Sequence, residues 1–219
     1  MRILILSGNT GEGHNSAARA LKEYFESRGG SARIEDGLAY MGRSSNKLIC
    51  KGHVFLYRSM PKVFGAGYRL EERQARRQHY QEKLCAKVYR RRKRNLSSRM
   101  RSLRALLCSG EFDAVVCVHV FTARLVSELR VSGEVRIPSF FLATDYTCSP
   151  GTNQLDMDAW LIPHAALIPE FSGYGIPPEK IIPTGIPVRA AFLQRKDKRE
   201  IRRELGLPER CLLYTSRCV

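Results

Sequence analysis

The chain has 219 residues, 43% of them apolar and 26% charged, with 17 Gly and 10 Pro, a balance that excludes wholesale disorder and suits one large domain or two small ones. At this length roughly 70% of the unfolded chain's surface is buried on folding, so no disulfide or metal staple is needed. The 37 Lys and Arg against 21 Asp and Glu leave a net charge of +16, which favours phosphate-rich surfaces, and seven Cys without a C-x-x-C pair argue against a disulfide framework or a zinc ribbon.

Ile3 to Leu6 is a continuous aliphatic run closed by Ser7-Gly8, the pattern of a strand buried on both faces and far too short for the core of a signal peptide. Ala17, Ala18, Leu21, Tyr24 and Phe25 follow at helical spacing, and Gly29-Gly30 stops that helix. Ala32 to Tyr40 reads as a weaker second strand. From Lys47 to Leu107 no strand is convincing, and the segment reads as mostly helical. The α/β rhythm then returns: strand at Ala114 to Val118, helix at Thr122 to Leu129, strands at Ser139 to Ala143 and Trp160 to Ile162. A short helix at Ile168 to Tyr174 ends at Gly175, Ile181-Ile182 opens a strand, and Arg199 to Leu205 is a last helix stopped by Gly206. Such alternation predicts a parallel sheet flanked by helices. No stretch approaches the roughly 20 apolar residues that span a bilayer, so membrane attachment is expected to be peripheral.

The positive charge is local. Residues 69 to 104 hold 14 Lys and Arg against three Glu, including the unbroken run Arg90-Arg91-Arg92-Lys93-Arg94. Aromatic and aliphatic clusters precede this run, a composition suited to a headgroup layer, where each nearby cation adds about 1 kcal/mol on anionic lipid. The same physics suits non-specific RNA contact or a solvated helix face. No RRM, KH, zinc-finger or helix-turn-helix pattern accompanies it, so no specific nucleic acid is expected.

The loop Gly8-Asn9-Thr10-Gly11-Glu12-Gly13-His14-Asn15-Ser16 joins the first strand to the first helix, where orphan N–H groups and the helix dipole favour an anion. Its glycine spacing is not the G-x-G-x-x-G fingerprint, and it lacks the Lys of a P-loop. His14 at the carboxyl edge of the sheet suits a general base; alternatively the glycines make a tight turn and His14 caps the helix, a task Asn15 or Ser16 could equally perform. His119 and Thr144-Asp145 end two further strands on the same edge. Each is a ligand-side candidate, with a packing role for His119 and a turn cap for Asp145 as the alternatives. His164 has no partner at metal-ligand spacing and is left as an inter-lobe candidate, so no metal site is expected. No G-x-S-x-G elbow supports a serine nucleophile.

Taken in order, Gly8 to His14, Ala143-Thr144-Asp145-Tyr146, Leu161-Ile162-Pro163-His164, and Gly175-Ile176-Pro177-Pro178-Glu179-Lys180-Ile181 followed by Pro183-Thr184-Gly185-Ile186-Pro187-Val188 resemble the amino-terminal domain of monogalactosyldiacylglycerol synthase and of related bacterial processive diacylglycerol glucosyltransferases, over nearly residues 1 to 207. The resemblance implies a GT-B glycosyltransferase of two facing Rossmann-like lobes. The first takes the diacylglycerol acceptor, the second takes UDP-glucose or UDP-galactose, and no metal or other cofactor takes part. His14 would then be the base of an inverting transfer, with Gly11, Glu12, Gly13 and Asn15 lining the acceptor and donor loop. Asp145 would be acceptor-side or structural, as would His119, and Arg90 to Arg94 would meet the anionic cytoplasmic face of the membrane.

On this reading residues 1–190 form the acceptor lobe, with a basic helical insert at about 41–107, and 191–219 form a linker helix and the start of a donor lobe. Leu212-Leu213-Tyr214 could open that lobe's first strand, but Thr215 to Val219 bring no glycine loop. The chain is therefore expected to be a fragment that needs its donor lobe to turn over UDP-sugar. Two rivals stand beside this expectation: a basic module that binds RNA or anionic lipid without catalysis, and a lobe of the peptidoglycan-precursor glycosyltransferase type, whose acceptor is a prenyl-linked sugar.

Overall fold

The first aliphatic run forms β1 (Arg2–Ser7), of which Ile3 to Leu6 are fully buried. The computed structural model describes residues 1–8, 12–41, 65–67, 70, 98–194 and 197–208. In chain order, β1 is followed by α1 (Glu12–Ser27), β2 (Ser31–Asp36), α2 (Ser98–Leu107), β3 (Ala114–Cys117), α3 (Val120–Val131), β4 (Ser139–Leu142), β5 (Ala159–Ile162), α4 (Ile168–Gly173), β6 (Ile181–Pro183) and α5 (Lys198–Glu204). The six strands pair in parallel in the order β2-β1-β3-β4-β5-β6.

Because the chain first moves outward from β1 to β2 and then returns to the other side of β1 at β3, the order reverses between β1 and β3. Right-handed crossovers on either side of such a reversal put their helices on opposite faces. The side-chain alternation of β1 matches. Ile3 and Ile5 pack with Ala17 and Ala18 of α1, whereas Leu4 and Leu6 pack with Leu103 of α2, Val126 of α3 and Phe171 of α4. The alanines let α1 lie close on the sheet, and a second cluster built around Trp160 fills the opposite face.

One boundary differs from the sequence expectation. The second strand ends at Asp36, and Gly37–Met41 is a 3₁₀ turn rather than an extension of the strand to Tyr40. Asp36 Oδ1 accepts the Leu38 N–H at 3.0 Å, closing a local turn that competes with the sheet. Gly37 is required there because a Cβ would stand 2.5 Å from Cγ2 of buried Thr122.

The helix start also differs. α1 begins at Glu12, so Asn15 and Ser16 lie inside it rather than capping it. Among the described residues the other helices and strands fall where periodicity and breakers put them, while most of the helical reading of residues 47 to 97 lies outside the described residues. Gly29, Gly175 and Gly206 all have positive φ where the chain leaves a helix. Of the basic segment, α2 is described at its end; Gly11, Arg90, Arg91, Arg92, Lys93, Arg94 and Leu212 to Tyr214 lie outside the described residues.

The amino-terminal edge of the sheet is tied by charge. Arg130, at the end of α3, reaches Asp156 at 3.2 Å and Asp158 at 2.8 Å, and Asp158 also accepts the Ser139 N–H. The opposite, carboxyl edge is left for the site. The residues to Arg189 form one compact unit. Those from Ala190 form another, in which Asp197 caps α5 by accepting from Arg199 and Glu200 N–H.

Core packing has a chemical consequence at the cysteines. Burial pushes the Cys117 thiol in β3 up to about 12, and burial together with the nearby Glu170 charge does the same at Cys148. At pH 8 each is then held almost wholly as the unreactive protonated thiol. Cys108 is exposed. Maleimide labelling of the native chain at pH 8, followed by peptide mapping, is expected to mark Cys108 readily and to reach Cys117 and Cys148 only after unfolding. Labelling of Cys117 at the Cys108 rate would contradict the packing.

Candidate active site

In an open parallel sheet ligands bind outside the carboxyl ends of the strands, at the point where the strand order reverses. Here that point is the gap between β1 and β3. Residues of three connections lie there or beside it: Gly8 and the start of α1 after β1, Val118-His119 after β3 and Ala143-Thr144 after β4.

His14 is the residue they share. It sits in the first turn of α1, half-buried, with Nδ1 2.7 Å from the Val118 carbonyl oxygen and 3.0 Å from Thr144 Oγ1. A carbonyl oxygen can only accept, so Nδ1 carries the proton and the neutral ring keeps its lone pair on Nε2. Among the described residues nothing hydrogen-bonds Nε2. Among these residues the ring is therefore tethered at one nitrogen only.

His119 packs edge-on against His14, with ring centroids 4.6 Å apart. Only 8% of it is exposed, and its Nδ1 accepts the Phe121 N–H at 3.1 Å as the cap of α3. The ring lies directly over Gly8, where a Cβ would come within 2.8 Å of His119 Cγ. Gly8 is thus the space that lets the two imidazoles meet.

The Ser7 hydroxyl at the end of β1 donates to Asn15 Oδ1 at 2.7 Å. Asn15 therefore ties the helix start to the strand end. Glu12 is exposed and pairs with Arg19 at 2.8 Å; that hydrogen bond and charge hold its carboxyl below the usual range. Gly13 is exposed, with open space where a Cβ would stand.

Asp145 is not brought into the cluster. It is exposed, with Ser149 Oγ 3.5 Å from its carboxylate, while the preceding Thr144 meets His14. His164 is exposed and caps a 3₁₀ turn by accepting the Ala166 N–H. Sequence reasoning missed the Thr144 contact and the Ser7–Asn15 tie. The signal for the first was present in Thr144 ending β4, but the choice between Thr144 and its neighbour needed the direction in which each side chain leaves the sheet.

No curated protein sequence matches the chain. The family model described as monogalactosyldiacylglycerol (MGDG) synthase matches residues 14–188, beginning at the histidine of the glycine loop and ending just past the Thr184-Gly185-Ile186-Pro187 segment. With the six-stranded parallel sheet and most of its length under that match, the chain belongs to the monogalactosyldiacylglycerol synthase family, as the acceptor-side α/β lobe, the N-terminal domain, of a GT-B glycolipid glycosyltransferase.

Proposed function

We propose that this lobe receives diacylglycerol at the membrane surface and that His14 is the base that deprotonates the lipid's free hydroxyl while glucose or galactose is transferred from a UDP-sugar. In that step the hydroxyl O–H bond breaks and the proton passes to His14 Nε2. The oxygen forms a bond to the anomeric carbon from the face opposite the nucleotide, and UDP leaves with the electron pair of the old bond. Inversion at the sugar follows from that single displacement.

The observation that carries this reading is the half-buried His14 ring, fixed through Nδ1 and with no partner on Nε2 among the described residues, at the edge where the strand order reverses. Gly13 supports it. Among the described residues nothing lies within 4 Å of where its Cβ would stand, and the bare backbone one residue from the base suits close approach of a substrate.

Family membership implies diacylglycerol as the acceptor and association with a membrane. Among the described residues no helix is long and apolar enough to cross one. Our reading gives the chain a peripheral position on the cytoplasmic face, with Arg90, Arg91, Arg92, Lys93 and Arg94 against anionic headgroups. The local surplus of cations in residues 69 to 104 supports it.

Flotation with phosphatidylglycerol vesicles, with and without diacylglycerol, tests the acceptor claim alongside RNA retention. Retention is expected to rise when diacylglycerol is present and to weaken with salt. RNA binding together with indifference to both kinds of vesicle would favour the basic binding module instead.

A further inference from the structure

We propose that Thr144 is a positioning residue for the base. The Val118 carbonyl holds the proton on His14 Nδ1 and so makes Nε2 the nitrogen that accepts a proton, while the Thr144 hydroxyl, as a second acceptor of that N–H, fixes the ring and stabilises it as it becomes a cation. This rests on the reading of His14 as the base.

At 2.7 Å from an oxygen that bears only lone pairs, Nδ1 is a donor. With Nδ1 protonated, Thr144 Oγ1 at 3.0 Å can act toward it only as an acceptor. One N–H is thus shared between two oxygens from two different strand ends. Both are rigidly held, because Val118 N–H bonds to Leu6 O at 3.0 Å and Ala143 N–H bonds to Leu161 O at 2.9 Å. The edge of His119 against the His14 ring restricts its rotation.

The arrangement has a consequence for the reaction itself. When Nε2 takes a proton the ring becomes a cation, and the shared N–H becomes a charge-assisted donor, which bonds about twice as strongly as a neutral one. The two oxygens therefore stabilise the ring more as the proton moves than before it moves, the condition for acceleration rather than mere binding. Among the described residues no carboxylate meets Nδ1, so this stabilisation falls to the carbonyl and the hydroxyl. Val118 contributes through its backbone and cannot be tested by side-chain replacement. Thr144 can.

The test is ¹⁵N NMR of histidine-labelled chain, read through two-bond correlations that report which ring nitrogen carries the proton. In the parent, His14 is expected to show a protonated Nδ1 and a bare Nε2. Thr144→Val removes one acceptor of the Nδ1–H, so the Nδ1 ¹⁵N and attached ¹H signals should move upfield while the tautomer, fixed by the Val118 carbonyl, stays as in the parent. Thr144→Ser should keep the parent pattern. Thr144→Ala repeats the measurement without the added methyl, and circular dichroism identifies any variant that has lost the fold. A bare Nδ1 in the parent, or a His14 spectrum unmoved by both Val and Ala, overturns the proposal.

In the transfer reaction of a full-length synthase carrying these residues, Thr144→Val should lower kcat about threefold to tenfold with KM unchanged, and should add little once His14 is already Ala. A full additional loss in that background would make Thr144 merely structural. If His14→Ala leaves turnover intact, the base reading fails whatever the tautomer. If His14→Ala abolishes turnover while the Thr144 spectra stay unmoved, only the positioning role fails.

Discussion

His14→Ala is expected to lower kcat for hexose transfer to diacylglycerol by about 100-fold or more in a full-length synthase carrying these residues, the lower end of what a positioned general base contributes. That is about 2.7 kcal/mol of lost transition-state stabilisation. KM for the lipid should change little, because Nε2 is needed for the proton rather than for holding the acyl chains. The fold should survive, since the ring is only half-buried and its removal leaves one carbonyl, Val118 O, without that partner. His14→Gln separates the roles. It can donate an N–H toward Val118 but cannot accept a proton at neutral pH, so a loss as large as that of Ala assigns the effect to the base. A fall smaller than threefold in both variants would remove His14 from the chemistry.

How far that residue could be found from sequence depends on which distances are local. Gly8 to His14 spans seven residues, and a strand followed by glycines and a helix start marks a sheet edge wherever it occurs. The strands β1, β3, β4 and β5 were legible for the same reason, as short apolar runs buried on both faces. What could not be read was the partner. Thr144 lies 130 residues from His14, and successive residues leaving a strand point in opposite directions, so nothing local decides whether Thr144 or Asp145 turns toward the imidazole. The end of β2 failed similarly. Its stop is imposed by Asp36 turning back on Leu38 and by Thr122 crowding Gly37 from another helix, and the second of these is invisible along the chain. Arg130 with Asp156 and Asp158 is a third case, a network whose members read singly as surface charge.

These cases share a physical cause. Burial patterns follow from a residue and its near neighbours, whereas polar contacts at the sheet edge follow from register between strands distant in sequence. The pairing of β1 with β3 sets Leu6 beside Cys117, which brings Val118 level with the first turn of α1, where His14 sits. A shift of one residue in that register would turn the Val118 carbonyl away from the ring. The site thus depends on the same hydrophobic alternation that builds the core.

Trp160→Ala should therefore produce the largest loss of stability, about 3–5 kcal/mol. The ring is fully buried in β5, in register with Phe141 of β4 and Ile181 of β6, and its Nε1–H donates to Thr152 O at 3.3 Å. Truncation opens a cavity on that face of the sheet and removes one of the two donors to the Thr152 carbonyl, leaving it only the Leu155 N–H at 3.4 Å, and the two costs act together. A loss of this size lowers Tm by roughly 10 °C in a chain this long. Trp160→Phe refills most of the volume but still loses the donor, so it should fall between the parent and Ala. The chain's one tryptophan disappears in both variants, so unfolding must be followed by far-UV circular dichroism in urea rather than by fluorescence. A midpoint for Trp160→Ala within 1 kcal/mol of the parent would mean that β5 does not carry the core. An unchanged midpoint for Trp160→Phe would instead assign the whole effect to volume and none to the bond with Thr152.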